Sequence, residues 1–158
     1  MIRVLIVDGQ AEVRRGLRMR LAIEPDMTIV GEAGDVDAAL ALAQALNPDV
    51  IVVDIGMRGA NGVDTIKCLR AAAPAAAEVV LTLRDEEDTR VRAQEAGAQA
   101  FIEKVGGADA LLHAIRGLAQ HPGDPVSGAS AGREGQRQTR EARCAVSGPW
   151  ATRRLGVG

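Results

Sequence analysis

Five short apolar runs, each followed by a longer stretch of helical periodicity, fill the first 120 residues of the chain. Ile2–Val7 (IRVLIV) is the first run and ends at Asp8. Val13, Leu17 and Leu21 then recur at i, i+4 and i+8, one face of a helix over Glu12–Leu21. Met27–Ala33 (MTIVGEA) reads as a second strand. Asp35 stands as the N-cap of a helix that carries Ala39, Leu42 and Leu46 on one stripe. Asn47-Pro48 stops that helix, because proline cannot continue its hydrogen-bond ladder. Asp49–Val53 (DVIVV) shows no alternation, which fits a central parallel strand covered on both faces. It ends at Asp54 and a glycine-bearing loop, residues 56–62, and a helix follows with Val63, Ile66 and Leu69 inward. Glu78–Leu83 is a fourth strand, and the acids of Asp85–Asp88 open a fourth helix at its positive dipole end. Gly97 closes that helix, Ala98–Ile102 is the fifth strand, and Leu111, Ala114, Ile115 and Leu118 line the last helix.

Such alternation predicts an α/β fold: a five-stranded, doubly wound parallel sheet with right-handed crossovers and helices on both faces. With one Phe, one Trp and no Tyr, the core must rest on Val, Leu, Ile and Ala. In open sheets of this kind, ligand chemistry sits at the carboxyl ends of the strands. Asp8, Asp54, Thr82 and Lys104 fall there, and the topology alone predicts that they converge.

Residues 121–158 differ in kind. Pro122, Gly123, Pro125 and Gly128 open a stretch rich in Gly, Ser, Ala and Arg with little apolar periodicity, which reads as a disordered tail. A helix-turn-helix needs at least two amphipathic helices, so no output domain and no direct DNA binding are expected from this segment. The charge divides with it: 13 Lys/Arg against 18 Asp/Glu through residue 120, then 6 against 3. Arg133, Arg137, Arg140 and Arg143 alternate with Glu134 and Glu141, the pattern of a solvated tail rather than a phosphate-binding arm.

No secretory leader precedes the first strand, and no apolar stretch reaches the ~20 residues needed to span a bilayer. Cys68 and Cys144 lie in a helix and in the tail, so neither a structural disulfide nor a metal site is expected. The expected location is a reducing cytoplasm. No Gly-x-Gly-x-x-Gly or Gly-x₄-Gly-Lys-Ser/Thr motif follows any strand, which argues against a nucleotide-binding enzyme.

The strand-end residues match one kind of chemistry. A carboxylate at the end of a buried strand can attack a phosphoryl group. Bringing an anion to an anion requires positive charge nearby, from a carboxylate-held Mg²⁺ or from a lysine ammonium. A hydroxyl such as that of Thr82 can donate to a phosphoryl oxygen.

Over residues 1–120 the chain resembles the receiver domain of two-component response regulators, a flavodoxin-like (βα)5 fold. The resemblance rests on VLIVD (4–8), VDIGMRGANGVD (53–64), VVLTL (79–83) and FIEK (101–104). RRGLRMRL (14–21) and ADALLHAIRGL (108–118) resemble the branch that carries a LuxR-type DNA-binding domain. It implies Asp54 as phospho-acceptor, Asp8 in an acidic pocket, Thr82 and Lys104 as the phosphoryl-sensing pair, and Phe101 as an aromatic switch. Metal ligation by Asp8, Asp54 and the backbone carbonyl of Gly56 is implied as well. So is a sensor histidine kinase as donor, with a second copy of the chain or a downstream protein as output partner. Such a module is a phosphoryl acceptor rather than an enzyme, at most catalysing its own phosphorylation and dephosphorylation.

The chain departs from that pattern in three places. The family's two adjacent acids after the first strand read Asp8-Gly9 here. A carboxylate missing at ~4 Å from a cation costs up to about 4 kcal/mol at an effective dielectric near 20, which weakens Mg²⁺ binding. Arg58 replaces the proline usual after the methionine of the acceptor loop, and the DNA-binding domain is not present in the sequence. Gly9 and Arg58 open an alternative, a phosphorylation-independent pseudo-receiver that acts as a protein-interaction module.

Overall fold

The computed structural model describes residues 1–57, 61–83 and 87–121. The tail expectation for residues 122–158, the loop residue Arg58 and the helix-opening acids Asp85 and Glu86 lie outside the described residues.

Five strands and five helices alternate: β1 (Ile2–Val7), α1 (Ala11–Leu21), β2 (Met27–Ala33), α2 (Val36–Leu46), β3 (Val50–Asp54), α3 (Gly62–Ala72), β4 (Ala77–Thr82), α4 (Glu87–Ala96), β5 (Ala100–Glu103) and α5 (Ala108–Gln120). All strand pairs are parallel, in the order β2-β1-β3-β4-β5. The expected doubly wound architecture is the one observed.

Period-two side-chain alternation divides the core between the two sheet faces. Val4, Ile6, Val50, Val52, Val79 and Leu81 point to one face, where Leu21 of α1 and Leu111, Ile115 and Leu118 of α5 cover them. Leu5, Val7, Ile51, Val53 and Val80 point to the other, under Ala39 and Ala43 of α2, Ile66 and Leu69 of α3, and Ala93 and Ala96 of α4. β3 is buried over its whole length, which is why its sequence is apolar without interruption.

Local signals set the helix ends. The Asp35 side chain accepts from the Ala38 amide at 2.8 Å, capping α2, and Asn47 closes that helix in the left-handed region at φ 46°. Asn61 caps α3 by accepting from the Val63 amide at 3.1 Å. β5 begins at Ala100 rather than Ala98, because Gln99 is taken up in a side-chain bridge. Its amide donates to the Glu78 carbonyl, while its Oε1 accepts from the Glu78 amide at 2.9 Å.

Far from the strand ends, Arg116 of α5 forks onto Asp26, with Nε–Oδ2 2.8 Å and Nη2–Oδ1 2.9 Å, and also reaches Glu24. Hydrogen bonds and the charge of Arg116 hold the Asp26 carboxyl below its ordinary value, tying the last helix to the α1–β2 turn. No described helix is long and apolar enough to cross a membrane.

Two glycines make a stability contrast. A Cβ on Gly62, at the start of α3, would fall inside the Ile55 carbonyl oxygen and Cγ1, so backbone has to move. A Cβ on Gly16, in the interior of α1, meets nothing within 4 Å. Gly62→Ala is expected to cost about 2 kcal/mol through overpacking. Gly16→Ala is expected to add about 0.5–1 kcal/mol, because alanine restricts the unfolded chain and suits the helix better. Urea midpoints of the two variants, followed by circular dichroism, should move in opposite directions.

Candidate functional site

Three strand ends are held in register by backbone hydrogen bonds that run one residue beyond the ladders. The Asp8 amide donates to the Ala33 carbonyl at 3.0 Å, the Ile55 amide to Leu81 at 3.1 Å, and the Lys104 amide to Thr82 at 2.7 Å. Because β1, β3, β4 and β5 are neighbours and parallel, this fixes Asp8, Asp54, Thr82 and Lys104 at one end of the sheet. The Arg14 guanidinium, one turn into α1, donates to the Asp8 carbonyl at 2.7 Å and pins the end of β1.

All four side chains are buried or nearly so: Asp8 is fully buried, Thr82 and Asp54 are 6% and 8% exposed, and the Lys104 side chain is 11% exposed. Lys104 Nζ lies 2.8 Å from Asp8 Oδ2 and 3.2 Å from Asp54 Oδ2. The other oxygen of each carboxylate takes a backbone donor. Asp8 Oδ1 accepts from the Gln10 amide at 2.8 Å, and Asp54 Oδ1 from the Gly56 amide at 2.9 Å. Burial disfavours the Lys104 ammonium, but the hydrogen bond to Asp8 and the charge of Asp54 outweigh it and hold its pKa above the ordinary value.

Outside this ion-paired group lies a cleft of about 360 Å³ lined by Gln10, Asp54, Gly56, Thr82, Thr89 and Lys104 among others. A phosphoryl-sized anion entering it meets a carboxylate, an ammonium, two threonines and the Gly56 backbone. Phe101 stands apart from this group. It is half-buried on β5 beside Val80, packs against the α2–α3–α4 side of the core, and carries the Arg90 guanidinium 5.6 Å from its ring centroid.

Thr89 was not singled out from the sequence. Gln10 lies only two residues past a strand-end acid, a placement that marks it as a neighbour of the site. Thr89 comes from the first turn of α4, and only the three-dimensional packing of that helix brings it to the cleft.

The donor set can be tested against a resident Mg²⁺. That ion demands near-octahedral oxygen ligands at about 2.0–2.1 Å and dehydrates reluctantly. Asp8, Asp54 and the Gly56 carbonyl are the protein groups that could supply oxygens here. Among the described residues no group of three or more acid, His or Cys side chains is arranged to hold a metal ion. Lys104 Nζ already contacts Oδ2 of both carboxylates, so a cation that takes those two oxygens must displace it. These residues do not fit Mg²⁺ as a resident ion.

The family model described as response regulator receiver domain matches residues 4–116. The nitrate/nitrite response regulator protein NarP of Escherichia coli K12 is 37% identical over 118 residues, covering 75% of this chain and 55% of NarP. The transcriptional regulatory protein DegU of Brevibacillus brevis is 34% identical over 119 residues, covering 75% of this chain and 50% of DegU. The chain thus spans about half the length of these curated relatives. Among solved structures, the signal receiver domain of NarL from Mycobacterium tuberculosis superposes with a TM-score of 0.71 at 28% identity, covering 76% of this chain and 97% of that one. The response regulator domain of Thermotoga maritima CheB gives 0.70 at 31% identity, with the same coverages. The match spans all four strand-end residues and ten secondary-structure elements, and the chain belongs to the response regulator receiver domain family.

Proposed function

We propose that this chain accepts a phosphoryl group on Asp54 from a histidine kinase and changes its affinity for an output partner as a result. Receiver domains are phosphoryl acceptors that interact with histidine kinases. The observation that carries the assignment to Asp54 is its place on the cleft, with one carboxylate oxygen 3.2 Å from a nearly buried ammonium. In the transfer, the donor's bond to phosphorus breaks and its electron pair stays with the donor. A new bond forms from phosphorus to an Asp54 carboxylate oxygen. Positive charge at Lys104 offsets the anion–anion approach, and the Gly56 amide orients the nucleophile.

Thr82 and Lys104 line the cleft and would contact the phosphoryl group once it is attached. Their movement toward it biases α4 and β5, where Thr89 lines the same cleft and Phe101 packs beside Val80. The result is a population shift between two packings of that face. An interaction module indifferent to phosphorylation has no use for a cleft that leaves Asp54 within reach of solvent.

The test is intact-mass measurement after incubation with phosphoramidate or acetyl phosphate. The wild-type chain is expected to gain the mass of one phosphoryl group, and Asp54→Asn to gain none. A chain that gains nothing under saturating donor, or an Asp54→Asn variant that gains the same mass, refutes the assignment.

A further inference from the structure

Two carboxylates and one ammonium share the end of the sheet, and every carboxylate oxygen among them already faces a donor. Asp8 Oδ2 and Asp54 Oδ2 face Lys104 Nζ, while Asp8 Oδ1 and Asp54 Oδ1 face the Gln10 and Gly56 amides. We propose that Lys104 is the resident cation of this cleft, and that phosphoryl transfer to Asp54 proceeds without a divalent metal ion because position 9 withholds a further carboxylate. The inference rests on the acceptor reading of Asp54.

Three observations support it. The first is the position of Nζ between both acids, on a side chain only 11% exposed, so the ammonium is packed in place rather than swinging in solvent. A metal ion ligated through Oδ2 of both carboxylates has to evict a buried charge that is hydrogen-bonded to one acid and adjacent to the other. The second is the charge balance: two carboxylates against one ammonium leave a single negative charge, which gives a divalent ion little to neutralise.

The third is the local structure at Gly9. Nothing in the backbone demands a glycine there: among the described residues the glycines with positive φ are Gly97 and Gly107. A Cβ at position 9 would lie 3.9 Å from the Gly34 carbonyl oxygen and 3.9 Å from Met57 Cγ, ordinary van der Waals contact. An acidic side chain could therefore stand beside Asp8 without strain, and this chain carries none.

Chemically, the step requires no metal. With phosphoramidate as donor, the P–N bond breaks and its electron pair stays on nitrogen, which leaves as ammonia. The P–O bond to Asp54 forms, and no group is oxidised or reduced. Lys104 offsets the developing charge on the phosphoryl oxygens as a preorganised ammonium.

The experiment uses the full chain and Gly9→Asp, with two readouts. Calorimetric titration with MgCl₂ is expected to show no saturable binding to wild type at millimolar concentrations, and saturable binding to Gly9→Asp. The rate of phosphoryl incorporation from phosphoramidate, read by intact mass, is expected to agree within about twofold for wild type in EDTA and in excess Mg²⁺. For Gly9→Asp it should rise roughly tenfold or more when Mg²⁺ is added, since a third carboxylate completes a hard-cation site. Saturable Mg²⁺ binding by wild type, or incorporation that stops in EDTA, overturns the inference and leaves Asp54 as the acceptor. Gly9→Asp that binds Mg²⁺ no better than wild type overturns the role given to position 9. If neither chain takes up phosphoryl under any condition, the acceptor reading falls and this inference with it.

Discussion

Replacing Glu78 with leucine is expected to stabilise the protein by on the order of 3 kcal/mol at pH 7, and by much less at pH 4.5. Glu78 is the second residue of β4 and is fully buried. Its backbone is satisfied by Gln99, but neither carboxyl oxygen has a hydrogen-bond partner among the described residues. Desolvation pushes its pKa to about 8 from an ordinary 4.5, and the Arg70 charge on α3 opposes that rise without cancelling it. The folded chain therefore keeps a proton that the unfolded chain releases between pH 4.5 and 8. Stability falls as pH rises across that window, and the full cost is present above it. Leucine fills a similar volume with no charge to desolvate, so its profile lacks this slope. Trp150 lies outside the described residues, so far-UV circular dichroism in urea, at several pH values, is the appropriate measure. Parallel pH profiles for the two proteins, or a less stable variant at pH 8, would show that Glu78 has partners which relieve its burial.

Glu78 also illustrates what the sequence conveys and what it withholds. EVVLTL reads correctly as a strand, and the polar first residue looks like a solvated strand start. Its side chain shares the sheet face of Val80, which residues scattered along the sequence cover, so no local pattern announces its burial. The convergence of Asp8, Asp54, Thr82 and Lys104 was legible for the opposite reason. Parallel strands in a doubly wound sheet bring their carboxyl ends together whatever the side chains are, so strand-end position alone locates them.

What position could not convey was the pairing. The sequence placed Lys104 at the strand ends with Asp54, and the fold also seats its ammonium against Asp8, 96 residues away, at 2.8 Å. A lysine stem has several rotatable bonds and leaves no periodic trace of where its head lies. Gly62 escaped notice in the same way. Its lack of a side chain matters only because the Ile55 carbonyl occupies the space.

The seated ammonium makes Lys104→Met the second large effect. Methionine keeps most of the stem's packing but leaves Asp8, fully buried, and Asp54, 8% exposed, facing each other without the cation that both approach. Removing one partner of a buried charge group leaves uncompensated charge, and the open cleft lets water recover part of it. The expected loss is about 2–3 kcal/mol at neutral pH. In the wild type this contribution is fully present below the ordinary lysine value of 10.5. It is lost only as pH rises through the raised folded value, so the deficit of the variant should be constant from neutral to mildly alkaline pH. The double variant Lys104→Met/Asp8→Asn separates lost charge from lost packing. With a single carboxylate left there is no repulsion to relieve, so the pair should be more stable than Lys104→Met alone at neutral pH, a coupling read directly from urea midpoints. Additive losses in the double variant would mean that the ammonium is held by packing alone, and that the two acids do not depend on it.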